Sequence, residues 1–155
     1  MWSRTGEARR VETPILNDGE LLIGRRFDTG DLARQDSEGY YYIAGRAKDM
    51  IISGGENIYP AEVEAVLHAH PAVASAALIG LPDPKWGETP VAVVTACKGS
   101  TVTVEEIIEF CSGKLARYKI PKQVFFVDKF PLLASGKVFK RMLKEEVEKL
   151  VNGNK

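Results

Sequence analysis

The order of apolar and polar positions along the chain predicts a hairpin near the start. Glu20–Gly24 has the pattern of one short strand, and Asp28–Asp31 has the composition of a turn. Leu32–Gln35 and Tyr40–Ala44 flank the polar run Asp36–Gly39, in which glycine occupies a position that would need positive φ. This arrangement indicates a β-hairpin.

The rest of the chain alternates between helix-like and strand-like patterns. Met50–Ile52 indicates a short buried strand, and a helix is predicted from about Pro60 to Ala69, before Pro71. Thr103 and Glu106 have the spacing of a capping box ahead of another apolar stripe. The other predicted elements are buried strands at Val73–Leu81, Val91–Cys97 and Val124–Val127, a last helix at Val138–Val151, and loops at Pro82–Glu88, Tyr118–Lys122 and Phe130–Lys137.

This order predicts an α+β fold. We expect a small, mostly antiparallel β-sheet with flanking helices, together with the hairpin. A chain of 155 residues has room for one domain, or for two very small ones. Residues 1–13 are polar and are expected to form a poorly ordered arm.

Composition excludes several classes of partner. The formal net charge is +0, so no overall field favours nucleic acid or an anionic membrane. The first residues lack the apolar region of a signal peptide, and no apolar run is long enough for a membrane span. Cys97 and Cys111 lack metal-ligand spacing and fall inside apolar segments, so they are expected to be buried free thiols instead of a disulfide, which fits a cytoplasmic location. His68 and His70 are two residues apart, so a helix would point them in different directions, which disfavours a metal site.

The stretch Gly45–Pro60 is the first candidate for chemistry. Arg46, Lys48 and Asp49 place three charges ahead of the predicted strand, and Gly54-Gly55 follows it with bare backbone. Charges at one end of a strand and paired glycines at the other suggest a surface that meets a ligand. A charged hairpin end followed by an ordinary tight turn explains the same residues.

Lys137 is the second candidate. It follows Ser135-Gly136 and is expected at the start of the last helix, where free backbone N–H groups favour anions. Pro131 stands where a phosphate-binding P-loop has its first glycine, so that motif is absent. A solvated lysine at a helix start is the alternative interpretation.

Three stretches in order resemble one known family. Thr29–Leu32, Gly45–Pro60 and Ser135–Lys137 are similar to motifs in the C-terminal domain of the adenylate-forming superfamily, which contains acyl-CoA synthetases, acyl-CoA ligases and luciferases. The resemblance runs from about Thr29 to the end and looks most like medium- or long-chain fatty acyl-CoA synthetases. It implies that residues 29–155 are a mobile C-terminal lid domain. Residues 1–28 would then be an arm or a remnant of the large domain.

The resemblance implies roles in a first half-reaction with ATP. Lys137 matches a catalytic lysine that touches the substrate carboxylate and the nucleotide. Asp31 matches an aspartate that binds both ribose hydroxyls, for which two acceptor oxygens are suited; Arg46 would also contact the nucleotide. Lys48 falls at the hinge position. The chain departs from the family at Leu132-Leu133, where Lys-Thr is frequent.

The resemblance also implies a second face that binds coenzyme A. The glycines would let the pantetheine arm pass close to the backbone, aromatic side chains would contact the adenine, and cations would meet phosphates. Trp86 as a half-buried loop residue and Tyr118 as a packing residue are the alternatives. The residues of this expected face are Arg46, Gly54, Gly55, Trp86, Tyr118 and Lys122.

The function that the resemblance implies is the C-terminal part of an AMP-forming, ATP-dependent fatty acyl-CoA synthetase, an acid–thiol ligase. Its substrates would be ATP with Mg, a carboxylic acid, expected to be a fatty acid, and coenzyme A. Its partner would be a large N-terminal adenylation domain, without which we expect no acyl-CoA formation and possible self-association. The alternative is a domain that has lost catalysis and binds coenzyme A or docks on a partner enzyme. A small RNA-binding domain is disfavoured by the zero net charge.

Overall fold

The computed structural model describes residues 20–23, 27–35 and 37–153. The predicted arm at residues 1–13, together with Gly24 and Asp36, lies outside the described residues. The chain divides into two compact units, and the division falls between Lys48 and Asp49.

The first unit contains an antiparallel sheet of three strands, with β2 in the middle. The strands are β1 (Glu20–Ile23), β2 (Phe27–Gln35) and β3 (Tyr41–Arg46). Gln35 pairs with Tyr41, which confirms the predicted hairpin.

The turn predicted at Asp28–Asp31 is wrong, because these residues belong to β2. Asp28 pairs with Leu22 of β1, and Asp31 pairs with Arg46 of β3. Gly30 has a φ of +66°, and the β2–β3 register shifts just beyond it, between Leu32 and Ala33. Turn-forming residue types therefore mark an irregularity inside a paired strand.

The second unit is built on a five-stranded sheet in the order β5-β4-β7-β6, with β8 paired to β7. The β7–β8 pairing is parallel and the others are antiparallel, which confirms the mostly antiparallel α+β fold. The strands are β4 (Ile51–Ser53), β5 (Glu56–Ile58), β6 (Val73–Asp83), β7 (Gly87–Ala96) and β8 (Gln123–Phe126).

Three α-helices accompany this sheet: α1 (Pro60–His68), α2 (Val104–Ser112) and α3 (Lys140–Gly153). Pro60 occupies the first turn of α1, where its missing N–H costs nothing. The capping box of α2 forms as predicted, since Thr103 accepts from the Glu106 N–H and the Glu106 carboxylate accepts from the Thr103 N–H. Short 3-10 helices span Ala47–Asp49 and Arg117–Lys119.

The sheet of the second unit is covered on both faces. Alternate residues of β6 and β7 pack into two separate cores, one with α1 and α2 and one with α3. Ala76 and Leu78 face the first core, whereas Ala77 and Ile79 face the second. Burial on both faces explains why these strands are continuous apolar runs without period-2 alternation.

Several boundaries differ from the predictions. The loop predicted at Pro82–Glu88 is shorter, because Pro82 pairs with Glu88 and Asp83 pairs with Gly87. The loop predicted at Tyr118–Lys122 begins inside a 3-10 helix. The last helix starts at Lys140 instead of Val138.

Cys97 and Cys111 are both free thiols, as predicted. Cys111 is buried, but the predicted burial of Cys97 is wrong, because Cys97 lies just beyond the end of β7 and is only half-buried. In the described part of the chain, no helix has both the length and the apolar character needed to cross a membrane.

Candidate functional site

The paired glycines of the central motif form the turn of a tight hairpin. Ser53 at the end of β4 pairs with Glu56 at the start of β5, so Gly54 and Gly55 are the two connecting residues. Their φ values are +61° and +85°, the combination that a type I′ turn requires. Glycine adopts this conformation without steric cost, so the sequence Gly-Gly specifies the turn.

The indole of Trp86 lies against the bare backbone of this turn. The Gly54 N–H donates a hydrogen bond to the Trp86 carbonyl at 2.8 Å. A Cβ atom built on Gly54 would stand 2.7 Å from Cε3 of the indole. Trp86 is nonetheless 44% exposed, so part of the indole packs on glycine while the rest is accessible to solvent. Two residues expected in one binding face are therefore in contact.

The loop that carries Trp86 is held by its own polar groups. Oδ1 of Asp83 accepts hydrogen bonds from the N–H groups of Lys85 and Trp86, at 2.8 and 2.9 Å. The Lys85 ammonium lies 4.8 Å from the centre of the indole ring. A cation and an exposed aromatic ring thus stand together at the tip, an arrangement suited to a flat anionic ligand. Sequence reasoning missed Lys85, although its position next to Trp86 was a signal.

Lys122 lies on the same edge of β7 as the glycine turn. β4 meets this edge where Ser53 pairs with Gly87, and β8 meets it where Gln123 pairs with Val91. The Lys122 N–H donates to the Pro90 carbonyl at 2.8 Å, and its side chain is exposed. Four residues of a strand extend about 13 Å, so one extended ligand could reach both the turn and Lys122.

Tyr118 lies in the 3-10 helix ahead of β8 and is 39% exposed. The ammonium of Lys119 stands 5.6 Å from the centre of its ring and 2.7 Å from the Glu62 carboxylate. The hydrogen bond to Glu62 raises the pKa of Lys119. Within the described residues, no ring contact joins Tyr118 to Trp86. The structure thus leaves the two aromatic rings as separate exposed surfaces.

Lys137 is located at the end of a small hairpin. The Leu133 N–H donates to the Lys137 carbonyl and the Gly136 N–H donates to the Leu133 carbonyl, both at 2.8 Å. Gly136 has a φ of +81°, which fits a three-residue hairpin loop closed by glycine. The expectation that Lys137 begins a helix is wrong, because the chain pairs Leu132 with Val138 before α3 starts. No carboxylate of the described residues pairs with the exposed Lys137 ammonium.

The two residues expected at the nucleotide are paired with each other in the first unit. Nε of Arg46 lies 2.6 Å from Oδ1 of Asp31, and their backbones are partners across β2 and β3. Sequence reasoning placed both at a ligand but did not predict this ion pair. Lys48, the expected hinge, is the last residue before the division into two units.

Residues 62–137 match the family model described as the AMP-binding enzyme C-terminal domain. Residues 62–137 of the chain belong to this family. The resemblance stated from the sequence motifs is thereby confirmed.

Relatives of this AMP-binding enzyme C-terminal domain are acyl-CoA ligases. A 2-succinylbenzoate–CoA ligase of Bacillus cereus is 52% identical over 122 residues, which are 79% of this chain and 25% of the relative. The long-chain-fatty-acid–CoA ligase FadD13 of Mycobacterium tuberculosis is 51% identical over 120 residues, which are 77% of this chain and 24% of the relative. The chain therefore spans about a quarter of the length of these relatives. They differ in the acid that they are named for, so they do not single out a fatty acid.

Solved structures contain the same fold. The o-succinylbenzoate CoA synthetase MenE of Bacillus subtilis, in complex with the acyl-adenylate intermediate OSB-AMP, matches with a TM-score of 0.74 and 46% identity over 79% of this chain and 25% of its own. ATP-bound MatB of Rhodopseudomonas palustris matches with a TM-score of 0.74 and 42% identity over 80% of this chain and 25% of its own. Those proteins bind an adenylate and ATP respectively.

Proposed function

We propose that this chain is the mobile C-terminal domain of an AMP-forming acyl-CoA synthetase, with residues 29–155 as the lid. In the first half-reaction, a carboxylate oxygen would attack the α-phosphorus of ATP, and pyrophosphate would leave. In the second, the thiol sulfur of coenzyme A would attack the carbonyl carbon of the acyl-adenylate, and AMP would leave. Two different surfaces of the lid would serve these two steps.

The observation that carries this proposal is the contact between Gly54 and Trp86. An exposed indole packed on bare backbone leaves a shallow, flat surface without a side chain at position 54. A pantetheine arm could pass along the glycines while the adenine stacks on the ring, with Lys85 near its phosphates. Tyr118 and Lys122 would extend this surface. Arg46, in the first unit, is proposed as a further contact of coenzyme A.

Lys137 is proposed for the first half-reaction. Its exposed ammonium has no carboxylate partner among the described residues, so it is available to an anion. An ammonium about 4 Å from a reacting anion, at an effective dielectric of about 20, contributes roughly 4 kcal/mol. That corresponds to about a thousandfold in rate as an upper guide.

Asp31 and Arg46 are proposed at the nucleotide. Their ion pair would orient the Asp31 carboxylate towards the ribose hydroxyls. Lys48 is proposed as the hinge, and the position of the division between the two units supports this role. ATP with Mg, coenzyme A, a carboxylic acid and a large N-terminal domain are the proposed substrates and partner, and the cytoplasm is the proposed location.

A hybrid enzyme tests this proposal. Residues 29–155 would replace the corresponding C-terminal quarter of the Bacillus cereus 2-succinylbenzoate–CoA ligase. We expect the hybrid to release pyrophosphate with 2-succinylbenzoate and ATP, and to form the thioester when coenzyme A is added. The 155-residue chain alone should catalyse neither step but should bind coenzyme A weakly through Trp86. A folded hybrid that binds coenzyme A without either reaction would favour the catalytically inactive alternative.

A further inference from the structure

Glu88 connects three elements of the second unit that sequence reasoning treated separately. Its Oε2 accepts a hydrogen bond from the Ile52 N–H at 3.1 Å. Its Oε1 lies 3.4 Å from the ammonium of Lys144 on α3. Glu88 itself is the second residue of β7, two positions after Trp86. One carboxylate therefore touches β4 and α3 from β7.

The hydrogen bond to Ile52 replaces a missing part of the β4–β7 ladder. The only registered pair between these strands is Ser53 with Gly87. Ile52 is the register partner of Asn57 in β5, and the Ile52 N–H donates to the Glu88 side chain. Without this acceptor, β4 would be joined to β7 only by the Ser53–Gly87 pair and by the hydrogen bond from the Gly54 N–H to the Trp86 carbonyl. The Gly54-Gly55 turn follows Ser53 directly.

The chain makes room for the Glu88 carboxylate at Gly80. A Cβ atom on Gly80 would stand 3.0 Å from Oε1 of Glu88 and 3.1 Å from Cγ2 of Ile51. Gly80 has an ordinary φ, so backbone conformation does not require glycine here. The absence of a side chain at this position instead lets the carboxylate lie against the strand.

We infer that Glu88 is a positioning residue that holds the Gly54-Gly55 turn against Trp86 and thereby shapes the coenzyme A surface. This inference rests on the proposed function, because the coenzyme A surface is itself part of that proposal. Glu88 acts through β4 and Trp86 and is not expected to touch the coenzyme. Lys144 neutralises the carboxylate but is not needed for its contact with Ile52.

Three variants of the full chain separate these roles. Glu88→Gln keeps an acceptor oxygen for the Ile52 N–H and removes the charge. Glu88→Met removes the acceptor at similar length, and Lys144→Met removes only the cation. Should Glu88→Met fail to fold, Glu88→Ser takes its place, because its shorter side chain cannot reach Ile52.

Amide hydrogen exchange by NMR, without any ligand, gives the first result. We expect exchange at Ile52 and Gly54 to accelerate about tenfold in Glu88→Met, which corresponds to one lost hydrogen bond of average strength. Exchange in Glu88→Gln and Lys144→Met should stay within about twofold of the unmodified chain. Unchanged exchange in Glu88→Met, or equal acceleration in Glu88→Gln, would overturn the inference.

Titration with coenzyme A gives the second result. We expect the dissociation constant to rise at least tenfold in Glu88→Met and to be restored in Glu88→Gln. Equal affinity in Glu88→Met and the unmodified chain would overturn the positioning role. An unmodified chain without binding at millimolar coenzyme A would contradict the proposed function, whereas the exchange rates would still decide whether Glu88 holds the turn.

Discussion

Gly54 and Trp86 are packed so closely that no side chain fits between them. A Cβ atom on Gly54 would stand 2.7 Å from Cε3 of the indole, well inside the 3.5–4.0 Å separation of nonbonded carbons. The neighbouring Gly55 has no atom within 4 Å of its Cβ position, although its φ is also positive. The two glycines therefore serve different purposes, since Gly54 admits the ring and both permit the turn.

Gly54→Ala should displace the indole, whereas Gly55→Ala should not. Each substitution costs about 1–2 kcal/mol because alanine must adopt a left-handed conformation. We expect Gly54→Ala to lose additional stability and to shift the fluorescence emission of Trp86. Measurements in a Trp2→Phe background would assign the signal to Trp86. Equal losses in the two variants, with equal emission spectra, would show that the contact has no energetic role.

The turn could be predicted from sequence, but its contact with Trp86 could not. Gly-Gly after a short strand indicates a tight turn by local chemistry alone. Trp86 reaches Gly54 only because β4 pairs with the start of β7, which is a long-range register that local patterns do not encode. The same limit explains why the sequence placed Asp31 and Arg46 at a ligand but not in contact with each other.

The predicted element boundaries are wrong where strand pairing overrides the local conformational preference of the residues. Asp28–Asp31 has turn chemistry but is held in β2 by strands on both sides. Lys137 was expected at a helix start because a helical pattern follows it. The hairpin closed by Gly136 takes up those residues first, so the helix begins at Lys140. The family motifs identified the candidate residues, but only the structure showed the local geometry of those residues.

Glu64 should stabilise the outer edge of the sheet. Its Oε1 accepts from the Leu78 N–H at 2.8 Å and lies 2.7 Å from the ammonium of Lys140. We expect Glu64→Leu to lower the free energy of unfolding by about 1–3 kcal/mol, because a partly buried N–H loses its acceptor. Glu64→Gln keeps an acceptor and Lys140→Met removes only the cation, so each should cost less. Chemical denaturation would measure all three, and a Glu64→Leu variant as stable as Lys140→Met would contradict this role.

Lys119 should make the free energy of unfolding depend on pH in the alkaline range. The hydrogen bond to Glu62 raises the pKa of Lys119 in the folded chain above the value of about 10.4 for unfolded lysine. The pair therefore stabilises the fold fully below pH ~10.4, and this contribution is lost as the pH rises through the folded-state pKa. We expect the free energy of unfolding of the unmodified chain to be higher than that of Lys119→Met by up to about 1 kcal/mol at pH 8. This difference should become smaller at higher pH. In a Glu62→Gln background the difference should depend less on pH, because Tyr118 makes only a smaller contribution to the raised pKa of Lys119.

The two cysteines should differ in reactivity. Cys111 is fully buried, and this burial raises the pKa of its thiol, so little thiolate forms near pH 8. Cys97 is only half-buried, just beyond the end of β7. We expect a thiol reagent to modify Cys97 in the native chain and Cys111 only after unfolding. Cys97→Ser and Cys111→Ser variants would show which cysteine is labelled before unfolding and which one after it. Rapid labelling of Cys111 in the native chain would contradict its buried state.

The most direct test of the two-surface proposal measures the half-reactions of the hybrid enzyme separately. Lys137→Ala should slow pyrophosphate release by about a hundredfold or more while thioester formation from a preformed adenylate continues. Trp86→Ala should leave pyrophosphate release unchanged and slow the transfer to coenzyme A. Lys129→Ala, an exposed lysine of the preceding loop, serves as the control and should affect neither step. Loss of the same half-reaction in Lys137→Ala and Trp86→Ala would contradict the proposal.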